Sequence, residues 1–472
     1  MVHTAVLGNI PFHPVLHNAD LLSEIFRGQD NSTLARSARC CKAWEEPVLS
    51  VLWYSLGCII PLLKILPVEV DETDGHYYLR KDVSKDDLAR FKRYARLVRR
   101  LLFNDTVVQA SFAFRLQQLA SGEVLFPSLR DLRIYIEIPR LSHGALLFLS
   151  PSITKLLISD EGSHEGDAEL FESHVEVFLD ALGALPGQAL EELVFTFPCN
   201  IRLSSIDHFT NLRCLSLHTF PFSGEKKIFS RLQYLTRLVS LTFDTDGLQS
   251  EEIVPEISLA ALEKVKISGE TSNVTRVLHA IDAPRLADLE LDLETSTMAV
   301  TQSCCVEANA RFGLSLREVT LCCQISGLDD HSSTSTSPLI TPFLAIDNLE
   351  SFSLIVRKEN RNSSLSTIDD LCEAVVKAWP RLRAISIDHG HLKPSNPAPT
   401  FHSLIYFALH CPSLQSLTIP LCVSYFPQPE EVPLLSHNLR QFEFSPVGDL
   451  EYLVEFAYLL KRLFPYTEVS SY

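Results

Sequence analysis

From residue 97 onward the apolar side chains recur in one spacing: an apolar residue, a second three positions on, a third two beyond that. The set appears thirteen times, from Val98-Leu101-Phe103 and Leu129-Leu132-Ile134 through Leu286-Leu289-Leu291 to Leu439-Phe442-Phe444, at intervals of 22 to 37 residues. Alternation across its last three positions puts two apolar side chains on one face of a strand and the residue between them on the other. Between the sets lie amphipathic stretches of helical length, His174–Leu185, Asn273–Ile281, Ile368–Trp379 and Phe401–His410. Short lead-ins such as Pro127-Ser128-Leu129 and Pro284-Arg285-Leu286 stop a helix and set up an extended segment. Strand, loop, helix and strand at this period predict a solenoid, because one unit cannot bury its own apolar edge and neighbours must stack.

The motif resembles that of the leucine-rich-repeat family over about residues 97–445. The resemblance implies an α/β fold, a solenoid with a parallel inner sheet and outer helices. The Asn or Cys usual three residues after the third apolar position is replaced by Phe220, Asp246, Glu294, Gln324 and Gly390, with Cys422 conforming. Without that ladder the turns are expected to be irregular. Gly327–Ser337 (GLDDHSSTSTS) breaks the rhythm and is expected to be a mobile loop. Asp449–Phe464 is an amphipathic helix, and 446–472 reads as a C-terminal helical cap.

The chain before the repeats has a different period. Residues 1–17 read as a loose entry and 18–56 as a helical module. Leu21, Leu22, Ile25 and Phe26 fall at i, i+1, i+4 and i+5. Asn31, Ser32 and Thr33 offer capping side chains before Leu34, Ala35, Ala38 and Cys41. Trp44, Val48, Val51, Leu52 and Leu56 form a third set after Glu45, Glu46 and Pro47, which suit a first helical turn. Residues 57–96 read as linker and connecting helices: an apolar helix from Leu56 to Pro67, a polar loop over Glu69–Asp87 and a basic helix over Leu88–Arg100.

The module resembles an F-box, built around a pattern like LPxEILxxIFxxL…LxxxxxVCxxW. Asp20, Leu21, Leu22, Ile25 and Phe26 match its first helix, Leu34 its second, and Cys40, Cys41 and Trp44 its VCxxW end. His17-Asn18 stand at the Leu-Pro opening, and Gln29 at the leucine closing the first helix. Ser32–Leu66 is similar to a large group of fungal F-box-like proteins. The resemblance implies that these matching residues hold a Skp1-like adaptor of a cullin ligase complex, while the repeats bind an unknown target protein. The alternative is a leucine-rich-repeat interaction scaffold whose F-box-like helices serve only as an N-terminal cap.

Composition narrows the setting. With 46% hydrophobic and 21% charged residues the chain is globular. A net charge of −17 argues against nucleic acid as a main partner. The 12 cysteines contain no CxxC and read as reduced core thiols. The start, MVHTAVLGNIPFHP, has no signal-peptide pattern, and Pro61, Lys64, Pro67 and Glu69 interrupt the most apolar stretch, so no membrane segment is expected. These features point to the cytoplasm or nucleus.

Candidate chemistry lies on the strand positions between apolar ones: Tyr135, His218, Asp244, Lys264, Lys266, Asp288, Glu290, Asp292 and Glu318. In register, Lys264 would lie beside Asp288 and Lys266 beside Glu290, either as a lateral salt-bridge ladder or as a patch for a basic or polar peptide. His389 and His391 lack further ligands for zinc, and Asp160–Glu169 lacks EF-hand spacing, so both read as loops. No P-loop, GxGxxG, GxSxG or HExxH occurs. Neither an enzyme nor a cofactor or metal site is expected.

Overall fold

The computed structural model describes residues 18–70, 77–79, 82–104, 108, 110–136, 143–160, 168–196, 203–217, 229, 231–246, 248–249, 253–326, 333–358, 364–388, 398–448 and 453–471. Contacts divide the chain into two units, Met1–Leu212 and Arg213–Tyr472.

The first unit opens with three helices, α1 (Ala19–Phe26), α2 (Asn31–Ser37) and α3 (Lys42–Leu52). Asn18 caps α1, its side-chain oxygen accepting the backbone N–H groups of Asp20 and Leu21. The cap of α2 is Asp30 rather than Asn31, Ser32 or Thr33, because its carboxylate accepts Ser32 N, Thr33 N and the Thr33 hydroxyl together. Those bonds hold the Asp30 carboxyl below its ordinary range. The third helix starts at Lys42, so Pro47 lies inside it rather than in its first turn. There it costs one backbone bond but is buried beside Val48.

The run from Leu56 to Pro67, expected as one helix, divides. Ser55 and Leu56 form a short strand parallel to Arg100 and Leu101, and helix is confined to Ile60–Leu63, where Pro61 occupies the tolerant first turn. Part of the expected loop Glu69–Asp87 is also ordered. Val68–Val70 pairs antiparallel with Tyr77–Leu79, and Ser84 and Asp87 build a reciprocal capping box at the start of helix Lys85–Ala95.

The sheet of the first unit runs Ser55–Leu56, Arg100–Asn104, Asp131–Ile136, Lys155–Asp160 and Glu192–Phe195, each strand parallel to the next. That of the second unit runs Cys214–Ser216, Ser240–Asp244, Lys264–Gly269, Asp288–Ser296, Glu318–Ile325, Ser351–Lys358, Ala384–Asp388, Ser416–Cys422, Gln441–Val447 and Glu468–Ser471, again parallel throughout. Every expected repeat contributes a strand. The apolar positions are sealed: Leu129, Leu132 and Ile134, like Leu286, Leu289 and Leu291, expose none of their surface. Helices Ala168–Gly183, Thr271–Ala280, Asp369–Ala378 and Phe401–His410 match the amphipathic stretches to within a few residues at most ends. Each unit is thus a stack of strand–loop–helix repeats of leucine-rich type. Two strands of these sheets that the apolar sets do not announce, Ser55–Leu56 and Glu468–Ser471, are short and lack apolar alternation, and the latter is exposed at every position.

The missing Asn ladder is replaced in the second unit by buried hydroxyls. Thr245 Oγ1 donates to Ser268 O, Thr271 Oγ1 bonds Ser296 Oγ, Ser296 Oγ bonds Thr301 Oγ1, and Thr336 and Thr367 bond each other. These threonines are at most 1% exposed. They satisfy polar groups that strand-to-helix turns would otherwise bury unpaired. Of the expected mobile loop Gly327–Ser337, residues 327–332 lie outside the described residues. The remainder is structured: Ser333–Ser335 pairs parallel with Ser364–Ser366, and Ser337 starts a short helix.

Candidate functional site

The matched N-terminal residues separate into two groups. Leu22, Phe26, Leu34 and Val48 make a closed core, with Ala38, Trp44, Val51 and Leu52 packed against it. Phe26 and Trp44 meet edge to face at 5.5 Å, a geometry that aromatic quadrupoles favour. Trp44 is half-buried, and its indole N–H is shielded without an acceptor. Leu21 and Ile25, one turn apart on α1, instead remain 46% and 53% exposed. Asp20 is exposed in the first turn of α1, where its charge suits the helix dipole. Cys40 is exposed and directs its Sγ to Arg36 O, while half-buried Cys41 holds the N-cap position of α3 without a capping bond. The packing of the three helices therefore gathers Leu22, Phe26, Leu34 and Trp44 inside and leaves Leu21 and Ile25 outside.

The module is joined to the rest of its unit. Arg93 donates to Glu45 at 2.9 Å, which raises the guanidinium pKa, and Trp53 packs on Tyr94 at 4.9 Å.

The interstrand residues lie on the open side of each sheet. In the second unit Lys264 Nζ reaches Asp288 at 2.6 Å and Lys266 Nζ reaches Glu290 at 2.5 Å. The Asp288 bond and charge raise the Lys264 pKa. Asp292 takes Arg357 at 3.7 Å, Asp244 accepts the backbone N–H of Asp246, and Glu318 is in register with Asp288. The lateral ladder is present, and exposed carboxylates continue beyond it to Glu443 and Glu468. In the first unit half-buried Tyr135 shares this face with Leu102, Leu157 and Val194. His218 lies outside the described residues, as do His389, His391 and 161–167 of the acidic stretch.

Asp131 and Arg133, outward strand positions in the sequence, form a cluster with Arg100 on the first unit's open face. Asp131 is 9% exposed and accepts from Arg133 Nε and Nη2 at 3.3 and 3.4 Å, while Arg100 Nε stands 3.8 Å away. The carboxylate raises the Arg133 pKa. Arg100 and Arg133 fall in neighbouring repeats, and only the register brings them together.

Nucleophilic chemistry has no foothold in the buried thiols. Burial pushes Cys304 to about 11 and Cys323, Cys372 and Cys411 to about 12, and raises Cys305 as well, so at neutral pH these side chains are protonated core residues. Among the described residues no group of three or more His, Cys, Asp or Glu is placed to hold a metal ion. No helix there is long and apolar enough to cross a membrane.

The fold defines a repeat protein of leucine-rich type. No family model matches the chain, and no curated protein matches it. Among solved structures, it aligns with the complex of Rad7 and Elc1 from yeast at 14% identity, over 92% of this chain and 90% of that one, with a TM-score of 0.33. It aligns with the Toll–Spatzle complex from Drosophila at 10% identity over 77% and 50%, TM-score 0.33. A Bacteroides fragilis protein aligns at 11% identity over 68% of this chain and 66% of that one, TM-score 0.30.

Proposed function

We propose that the chain is the substrate-recognition subunit of a Skp1–cullin–F-box-type ubiquitin ligase. Its N-terminal helices hold the adaptor, and its repeats present a target protein. Leu21 and Ile25 carry this reading: two large apolar side chains one turn apart, exposed on a module whose core is complete without them. An exposed apolar pair on a short helix is the kind of feature a partner groove covers. The chain would contribute proximity, ordering a target near a charged ubiquitin carrier, with no catalytic side chain.

The test is retention of a Skp1-type adaptor by the purified chain. The wild type is expected to retain it, and the double variant Leu21→Asp, Ile25→Asp to lose it with an unchanged melting temperature. A well-folded wild type that retains no adaptor overturns the reading. The scaffold alternative is favoured by a separate observation: the Arg93–Glu45 bond and the Ser55–Leu56 strand tie the helices to the sheet of the first unit, as a cap requires.

A further inference from the structure

The open face of the first unit contains a cavity of about 220 Å³ bordered by Leu56, Gly57, Arg100, Leu102, Asp131 and Arg133. Gly57 is among its lining residues and adds no side chain to it. Both guanidinium groups are held before any ligand arrives. Asp131 fixes Arg133 through Nε and Nη2, and the Tyr54 ring lies 5.6 Å from the guanidinium carbon of Arg100. One carboxylate between two cations leaves the cluster positive. The two arginine side chains are 58% and 52% exposed, against 12% for Asp131, so the surplus charge faces outward. Guanidinium presents five donors in a planar fork, and Arg133 spends only two nitrogens on Asp131. Beside the cavity, half-buried Leu102, Leu157 and Val194 continue in register across the sheet, with Arg133 between the first two.

We propose that this cavity seats an anionic oxygen group, a carboxylate or a phosphate, carried on a side chain of an extended polypeptide whose flanking residues lie on the Leu157–Val194 strip. The proposal rests on the repeats being the target-presenting face. Arg100 and Arg133 supply charge-assisted bonds to the anion, which sits among the residues lining the cavity.

The test uses the full-length chain, immobilised, and three degenerate nonapeptide sets with a central phosphoserine, glutamate or serine. Retention of at least one anionic set is expected to exceed that of the serine set by about tenfold at low salt, as hydrogen bonds to a charged group require. Whichever set is favoured identifies the source of the anion. Arg100→Gln and Arg133→Gln should each reduce that preference. Gly57→Leu adds an apolar side chain to the lining without altering charge and should reduce it, with the melting temperature unchanged. Equal retention of all three sets by the wild type overturns the proposal, as does a preference that survives both Arg100→Gln and Arg133→Gln. Adaptor retention measured on the same preparations separates the two readings: adaptor bound without peptide preference removes the pocket alone, and peptide preference without adaptor removes the ligase assignment alone.

Discussion

Each unit is built on the same apolar motif, yet their open faces differ in character. In the first unit Leu102, Leu157 and Val194 form an apolar strip beside Arg100, Arg133 and Lys155, with Asp131 and Glu192 as counter-charges. In the second, Lys264 and Lys266 are neutralised by Asp288 and Glu290, and Asp244, Glu318, Glu443 and Glu468 continue the face as carboxylates. Between them run the small hydroxyl side chains Thr320, Ser353, Ser386 and Thr418. The motif constrains the buried positions alone. The residues between can vary at small cost to the stack, which lets the two faces differ.

If the ladder is common and the faces are not, ladder substitutions should cost the same in both units. Leu132→Ala and Leu289→Ala should each destabilise by about 2–5 kcal/mol, measured by denaturant unfolding, because each leaves a cavity at a fully buried site. A cost confined to one unit would break the comparison.

Alkaline pH should separate the units next. The described thiols with raised pKa, Cys304, Cys305, Cys322, Cys323, Cys372 and Cys411, all lie in the second unit. A folded pKa above the unfolded value favours the protonated native state. Their contribution is thus complete below about pH 8.5, the ordinary thiol pKa, and is lost as pH rises towards 11 to 12. Hydrogen exchange at pH 7.5 and 10 should show protection falling more in the strands of the second unit than in those of the first. Cys40 and Cys58, which are exposed, should react with a thiol reagent in the native protein while the buried set waits for unfolding.

The remaining effects are smaller. Asn18→Ala removes two bonds at the start of α1 and should cost about 1 kcal/mol by thermal unfolding, without change in the repeats. At Asp30, whose carboxyl pKa is lowered, the cap contributes above the ordinary carboxylate pKa and is lost as pH falls through the folded value. Lys264→Met and Lys266→Met should each cost about 0.2–1 kcal/mol at low salt, with the penalty shrinking in 1 M salt, because both lysines remain part-exposed. A loss that persists in high salt would mean that these pairs act through packing.

Periodicity by itself determined a great deal. Thirteen apolar sets at bounded spacing dictate strands with one sealed face, and all thirteen are strands of two parallel stacks. The amphipathic stretches dictate the outer helices, since each has only one face that can be buried. Composition marked the cysteines as core residues; six of the second unit are buried, whereas Cys40 and Cys58 are exposed and Cys41, Cys214 and Cys422 half-buried, because position in the fold and not residue type decides burial. The tertiary structure decided what depends on register and on neighbours distant in sequence. Ser55–Leu56 and Glu468–Ser471 are strands because a sheet edge offers unpaired backbone groups, which no local apolar pattern announces. The threonine bonds replace the missing Asn ladder because burial, unlike composition, demands a partner for each polar group. Residues 18–53 show the division most plainly. Their sequence marks Leu21, Leu22, Ile25 and Phe26 as one apolar set, and only the packing of three helices sends Leu22 and Phe26 inward and leaves Leu21 and Ile25 on the surface.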